Sequence, residues 1–410
     1  MNTSALRSLR PFVNYFSRTA WALLFVGLAL HFLFPGIREP VDMLIAFCLI
    51  YFLGKVATVI HEAGHLMVAH WVGATPKRMI LGSGHDVHRT TWKNIKIVLK
   101  SNPVGGMAMA IFKGMPWLKW RFIAFTLGGV LFNVLSATVV YLLFGYRSSF
   151  LVGEQGIDVA SAFIFVNALT LLNLLPFVTT FQGYPQPTDG LMVFQILFRS
   201  HKKNFEGIEY AEDYFQAFEH IEDGNNDQAH EICLRLLEKW PNDIHVLSIL
   251  STVQIRKLQL DEALQNLKRI EAEMNTKKLA KKRGMVFNNI AWIYLLKNDI
   301  VEAYHYTTQA LKLLPKNLYV EGTYGCILVE RGDVDIGMQW LLLHTSWKHV
   351  NNETLTASIY LALAYHLKKD FVTRDKHAQH VNSNLDKLNR ESLLLWDRCK
   401  SKMSDGAMTV

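Results

Sequence analysis

The chain of 410 residues is half hydrophobic, 19% charged and formally +8 at neutral pH, which is length enough for two or three domains. Its four cysteines, Cys48, Cys233, Cys326 and Cys399, are scattered with no C-x-x-C pair; this argues against a thiolate metal site or a disulfide framework and fits a reducing compartment for the C-terminal half. Most of the positive excess flanks long apolar runs, where lysine and arginine set membrane orientation, so nucleic acid is not an expected partner.

Composition divides the chain into residues 1–199, rich in apolar runs, and residues 200–410, charge-rich and helical. Met1 to Arg18 carries Arg7, Arg10 and Arg18 without an acid, and an apolar run over 19–34 follows. No small-x-small cleavage site comes after it, so a first span is expected in place of a removed signal peptide. The basic start puts the N-terminus in the cytoplasm. After a turn at Pro35 to Pro40, a second span over 41–72 contains Asp42, Lys55 and the run Ile60-His61-Glu62-Ala63-Gly64-His65. Residues four apart share one helix face, so His61 and His65 can both offer a ring nitrogen to one Zn²⁺, with Glu62 one step round the turn. This is the H-E-x-x-H arrangement of zinc hydrolases, in which zinc lowers the pKa of water to about 7 and a glutamate carries the proton. Hydrolysis of a peptide bond is the chemistry expected. Ionisable groups inside a span cost roughly 2.5 to 3.5 kcal/mol each, which weighs against an accidental motif. Lys55 must then face protein or water; an ion pair and a role in substrate handling are both open.

Residues 73–121 hold nine lysines and arginines against Asp86 alone, which makes this loop cytoplasmic. Thr91 to Lys100 and Met107 to Phe112, separated by Pro103-Val104-Gly105-Gly106, are expected to form a β-hairpin whose edge can pair with an extended substrate. His85 and His88 lie in a Gly/Ser-containing loop and read as surface histidines. A third span is expected over 122–146; its Asn133, an amide in mid-membrane, needs a hydrogen-bond partner and is either a packing or a substrate-facing group. A short outer loop leads to a fourth span over 159–181 containing Asn167, Asn173 and Pro176, and the proline must break the helix near the cytoplasmic end. Irregular backbone from Gln182 to Gly190 follows, with Asp189 available as the third ligand that a two-histidine site needs.

Together these motifs resemble the site-2 protease family of intramembrane zinc metalloproteases over roughly residues 41–199. The resemblance rests on HEAGH, the PVGG hairpin, Gly129 and Asn133 as G-x-x-x-N, and Asn173-Leu-Leu-Pro176 followed by Asp189-Gly190. It implies His61, His65 and Asp189 as zinc ligands, Glu62 as general base, and Asn133 and Asn173 as polar groups near the substrate. The family keeps its Asp-Gly a few residues after the proline, whereas twelve residues separate Pro176 from Asp189 here.

The C-terminal half repeats. Ala229 and Ala263, Ala217 and Ser251, and Ala303 and Gly337 are each 34 residues apart, the period of tetratricopeptide helix pairs. Ala291, Tyr294, Ala303, Ala310 and Pro315 fit that repeat's signature, and a basic insertion at Lys277 to Gly284 stretches one spacing to 40. A solenoid from about Glu206 to Leu394 is expected, capped by polar C-terminal residues, with a concave groove for a protein or peptide partner.

The expected fold is therefore mainly α: a four-span membrane zinc-protease unit with a small hairpin, then a cytoplasmic α-solenoid. Both termini are cytoplasmic, in a bacterial-type cell membrane, and the substrates are membrane-embedded or membrane-proximal proteins or peptides. Two rivals stand beside this reading: a zinc-free scaffold working through its repeats, and another type of zinc peptidase drawing its third ligand from Glu209 or Asp213. Too few spans for inverted repeats argue against a proton-relay transporter.

Overall fold

The computed structural model describes residues 18–33, 38–114, 116–146, 158–181, 184–199, 207–274, 280–348 and 350–405. The basic N-terminal segment up to residue 17, most of the turn at 34–37, the outer loop at 147–157, Gln182-Gly183 and part of the basic insertion at 275–279 lie outside the described residues. The chain divides into two compact units, Met1–Ala211 and Glu212–Val410.

In the first unit, α1 (Arg18–Leu33) packs on α2 (Arg38–Trp71), which packs in turn on α3 (Leu118–Phe144). Among the described residues, two helical stretches are long and apolar enough to cross a membrane, Val41–Trp71 and Leu118–Phe144. The first and fourth expected spans are shorter: α1 has 16 residues, and α4 (Val159–Leu169) has 11 before a 3-10 turn over Thr170–Leu174. The fourth helix thus yields ahead of Pro176. Thr170 Oγ1 donates to the Asn167 carbonyl at 2.6 Å and competes with the helical ladder there, and the approach to a proline disfavours helical backbone.

Between α2 and α3 lies a sheet built from two long, bent strands, β1 (Thr75–Trp92) and β2 (Ile95–Ile111). They are joined by a two-residue turn at Lys93-Asn94, both with positive φ as such hairpins require. The first arm of β1 sits centrally: Thr75 to Leu81 runs antiparallel to Gly106 to Ile111, while Arg78 to Leu81 runs alongside Lys96 to Leu99 in the same direction. Thr90, Thr91 and Trp92 pair with Ile97, Lys96 and Ile95. The result is a small mixed four-stranded sheet with Gly106–Ile111 on one edge. It corrects the expected hairpin, because Thr91 to Lys100 spans a turn of its own and Met107 to Ile111 pairs with β1's first arm. Leu66 of α2 packs with Met79, Leu81 and Leu99, fixing the sheet on the motif-bearing half of that helix.

After α4 and the 3-10 turn, β3 (Val178–Phe181) and β4 (Tyr184–Pro187) form a second antiparallel hairpin, and α5 (Asp189–Phe198) follows. The expected irregular stretch between Pro176 and Asp189 is therefore mostly a regular insertion that returns the chain to where it left.

The second unit consists of α6 (Ala211–Glu222), α7 (Asn226–Lys239), α8 (Ile244–Arg256), α9 (Leu260–Glu273), α10 (Ala280–Leu296), α11 (Ile300–Leu313), α12 (Leu318–Arg331), α13 (Val334–Leu342), α14 (Asn352–Leu367), α15 (Phe371–Asn382) and α16 (Arg390–Asp405). The first ten form five tetratricopeptide-like pairs. Each pair turns on one left-handed residue, Gly224, Leu258, Asn298, Gly332 or Lys369. The next residue's N–H reaches five residues back, as in Asp299 to Tyr294 and Asp333 to Leu328, closing a Schellman motif. Turn residues 224 and 258, and 298 and 332, are 34 apart, and the insertion accounts for the 40 between 258 and 298. Five residues past the first four turns stands a buried small residue, Ala229, Ala263, Ala303 or Gly337, where helices meet closely. Consecutive turns are tied by Asp227–Lys257 at 2.7 Å, Asp261–Lys297 and Asp335–Lys368.

The C-terminus is not the polar cap that was expected. Helix α16 buries Leu395, Trp396 and Cys399 against α8, α10 and α14, all first helices of their pairs. Arg398 donates to the Leu295 carbonyl at 2.9 Å and, with Lys402, pairs with the buried carboxylate of Glu330 on α12, another first helix. The face expected to offer a groove is thus occupied by the chain's own last helix.

Candidate metal centre

His61 and His65 lie one turn apart on the buried face of α2, and Asp189 opens α5. Asp189 Oδ2 stands 3.1 Å from His61 Nε2 and Oδ1 stands 3.7 Å from His65 Nε2. One ligand atom from each residue falls within a 4.8 Å span, so the group can hold a metal ion.

The hydrogen bonds around the rings point the same way. His65 Nδ1 lies 2.8 Å from the Phe125 carbonyl, an acceptor, so the proton sits on Nδ1. The Gly129 N–H, 3.3 Å from the same Nδ1, then has no lone pair to bond. His61 Nδ1 lies 2.9 Å from Asn133 Oδ1. Both rings therefore turn Nε2 lone pairs toward Asp189, the tautomer that metal-ligating histidines adopt. Asp189 Oδ2 is buried without a properly directed hydrogen-bond donor. A carboxylate oxygen left so among imidazole lone pairs fits a cation of 2-His-1-carboxylate donor preference.

Three glycines make the approach possible. A Cβ at Gly129 would stand 2.6 Å from His65 Nε2 and 2.7 Å from His61 Nε2, and one at Gly64 would stand 2.6 Å from the Gly128 carbonyl. At Gly190 a Cβ would overlap the Leu174 carbonyl. The close approach at Gly190 is therefore to the end of the 3-10 turn.

Asp189 is held in place by its neighbour. Buried Thr188 caps α5 and its hydroxyl lies 2.6 Å from the Leu175 carbonyl, while its N–H reaches the Phe177 carbonyl at 3.1 Å. The two feet of the β3–β4 hairpin are thereby tied together, and the insertion does not displace the ligand.

Glu62 is buried and packs against the sheet's edge: a Cβ on Gly106 would stand 2.5 Å from its Oε1, and its carboxylate accepts a hydrogen bond from the Ala108 backbone. Asn133 is fully buried, and its Nδ2 donates to the Ala57 carbonyl at 2.9 Å and to Asn167 Oδ1 at 2.7 Å. Both ends of its side-chain amide are engaged, the oxygen with His61 and the nitrogen with Ala57 and Asn167. Asn173, half-buried on the 3-10 turn, contributes no described bond to this network; Asn167, one helix turn and a half earlier, does. Sequence reading gave Asn167 no role, although an amide in an apolar helix was the available signal.

Among the described residues the group that can hold a metal is His61, His65 and Asp189, and the other sequence candidates are not members of it. His88 sits on β1 opposite Leu99, and the side chain of His85 is outside the described set. Glu209 borders a cavity of about 530 Å³ with Trp117, Lys119 and Trp120. Asp213 belongs to the repeat unit, where it pairs with Arg235 at 3.3 Å. Lys55 is buried, as expected of a lysine in that helix, with its Nζ 3.6 Å from the Tyr51 ring centre.

No protein-family model matches the chain, and no curated protein matches it. Solved structures do. A Podosopora anserina protein described as a putative kinesin light chain with nearly identical TPR-like repeats is 14% identical, with a TM-score of 0.33, over 42% of this chain and 92% of that one. A point variant of that same protein aligns with a TM-score of 0.34 at 14% identity, over 45% and 95% of the two chains. A structure named MamA AMB-1 gives 0.27 at 15% identity, over 44% and 94%. With scores this low, the repeat assignment rests on the five helix pairs themselves.

Proposed function

We propose that this chain is an integral-membrane, zinc-dependent endopeptidase of the site-2 protease type, carrying a cytoplasmic repeat unit that docks protein partners. The observation that carries the reading is the convergence of His61, His65 and Asp189, with imidazole lone pairs inward and Glu62 adjacent, on helices whose outer faces are apolar. Phe25, Phe47, Leu135, Val139, Leu142 and Phe144 are exposed, a surface suited to lipid. Trp71, Trp117 and Trp120 are exposed near the ends of α2 and α3 that join the basic sheet, as at a cytoplasmic membrane interface. Ten residues of helix separate His61 from Trp71, which sets the site roughly 15 Å from that boundary.

When bound, zinc supplies Lewis acidity, lowering the pKa of water to about 7 and polarising the scissile carbonyl. His61, His65 and Asp189 would hold it. Glu62 takes the proton of the attacking water and delivers it to the leaving amine. The strand Gly106–Ile111, whose Ala108 backbone bonds to Glu62, lies at a sheet edge beside which an extended peptide can add as a strand. Burial excludes bulk water from the reacting groups.

Zinc analysis of purified protein, paired with proteomic comparison of cells carrying wild type or Glu62→Gln, tests this. Stoichiometric zinc in both proteins, with uncleaved membrane substrates accumulating in the variant, supports it. Absence of zinc with unchanged substrates overturns it in favour of a scaffold acting through the repeats. Loss of zinc in Glu209→Ala or Asp213→Ala but not in Asp189→Ala would move the third ligand.

A further inference from the structure

We infer that Asn167 is a positioning residue for the metal centre, acting through Asn133 to fix the tautomer and orientation of His61. This rests on the metal-binding part of the reading above. The two histidines are secured differently. His65 donates its Nδ1 proton directly to a backbone carbonyl, that of Phe125. His61 faces the side-chain amide of Asn133, which can rotate and offer either oxygen or nitrogen. With nitrogen toward the ring, the His61 proton would be driven to Nε2, where the metal must bind.

What prevents that rotation is a chain of bonds whose directions are all determined. At its far end, Asn167 Nδ2 donates to the Phe163 carbonyl at 2.9 Å. A carbonyl accepts only, so Asn167 must turn its Oδ1 the other way, toward Asn133 Nδ2 at 2.7 Å. The same Nδ2 donates to the Ala57 carbonyl at 2.9 Å, a second acceptor that fixes the amide's sense. Asn133 Oδ1 is left toward His61 Nδ1, which must carry the proton, and Nε2 is left as a lone pair. Ser136 Oγ donates to the Asn133 carbonyl at 2.9 Å and lies 3.4 Å from Asn167 Oδ1, closing the polar cluster. The relay joins three helices: α4 supplies Asn167, α3 supplies Asn133 and α2 supplies His61. Asn133 and Asn167 are 0% and 1% exposed, so water does not replace a lost partner.

The test measures Zn²⁺ affinity of full-length protein in detergent by competition with a chelator, and the visible spectrum of Co²⁺-loaded protein as a report of ligand geometry. Asn167→Leu keeps the volume and removes the acceptor, and should weaken Zn²⁺ binding about tenfold or more while altering the Co²⁺ bands. Asn167→Asp retains an acceptor for Asn133 Nδ2 and should recover most of the affinity, which a purely packing role would not predict. Asn133→Leu should weaken binding at least as much, and adding Asn167→Leu to it should cause no further loss. Wild-type affinity and spectrum in Asn167→Leu, or losses that multiply in the double variant, overturn the relay while leaving the metal centre intact. A wild-type protein that binds neither ion overturns the metal reading, and the relay with it.

Discussion

His61, Glu62 and His65 are legible in sequence because a helix converts four-residue spacing into a shared face, and the same local geometry is retained whatever surrounds it. Asn133 is legible as an amide needing a partner, but its partner is 72 residues away, so its task of holding His61 emerges only when α2 and α3 are packed. Gly129 illustrates how little space the packing leaves. Gly129→Ala introduces a methyl carbon against both Nε2 atoms, and the expected outcome is loss of bound metal with the helices retained, checked by metal analysis alongside circular dichroism. Full metal occupancy in that variant would mean that α3 lies farther from the histidines than described. Glu62→Gln should act in the opposite sense, keeping metal and abolishing cleavage, because an amide cannot take the proton from water.

At the scale of elements, the twelve residues between Pro176 and Asp189 looked like an irregular loop, yet Val178-Thr179-Thr180-Phe181 is a β-branched and aromatic run followed in sequence by a glycine, a strand signal that could have been read. What no local pattern contains is the tie at its base. Thr188 joins the hairpin's feet to Leu175 and Phe177 and caps α5, so it sets where Asp189 enters the site. Thr188→Val removes the cap and the hydroxyl bond to Leu175, leaving the backbone bond to Phe177, with a cap alone worth about 1 kcal/mol. The expected result is weaker metal binding and reduced thermal stability, with Thr188→Ser restoring both. Metal affinity unchanged in Thr188→Val would show that α5 is positioned by its apolar contacts, such as Ile196 with Phe125 and Leu118. The register of the larger sheet was equally hidden, since its central pairing runs between segments separated by a turn and a bend.

Across the whole molecule, the 34-residue period was readable because small residues and tight turns recur at fixed offsets, while the docking of α16 was not, because its contacts cross more than a hundred residues, as from Arg398 back to Leu295 and farther back to α8. The repeat unit has a continuous core of its own running from Leu247 to Cys399. Part of that core is sensitive to acid. His377 is buried beside Trp347 and Tyr365, and burial, reinforced by nearby His380, pushes its pKa down from the ordinary 6.5 to about 4. Below 6.5 the unfolded chain binds a proton that the folded unit refuses, so this residue's contribution to stability is present above that pH and falls as pH drops toward 4. A denaturant midpoint for the repeat unit that decreases over this window, with a shallower decrease in His377→Gln, is the expected measurement.

The division into two units predicts what truncation does. Contacts within Met1–Ala211 include every member of the metal centre and the sheet that borders Glu62. Helix pairs, by contrast, stabilise one another through their neighbours, and repeat units of this kind serve as protein-interaction surfaces. Removing residues 212–410 should therefore leave metal stoichiometry and cleavage of a short unstructured peptide near the wild-type level, while processing of a natural substrate falls several-fold. The face lined by the first helices is covered by α16, so a partner must either use other surfaces or compete with Leu395, Trp396 and the Arg398–Glu330 pair. Trp396→Ala separates these cases. Truncating a buried tryptophan costs about 3 to 5 kcal/mol, which lowers the repeat unit's melting temperature. If partners compete with α16, the loosened helix should raise their affinity at a temperature where the unit remains folded; if they dock elsewhere, affinity stays level. Natural-substrate processing that is unchanged in a well-expressed truncation would instead remove the repeats from recruitment altogether.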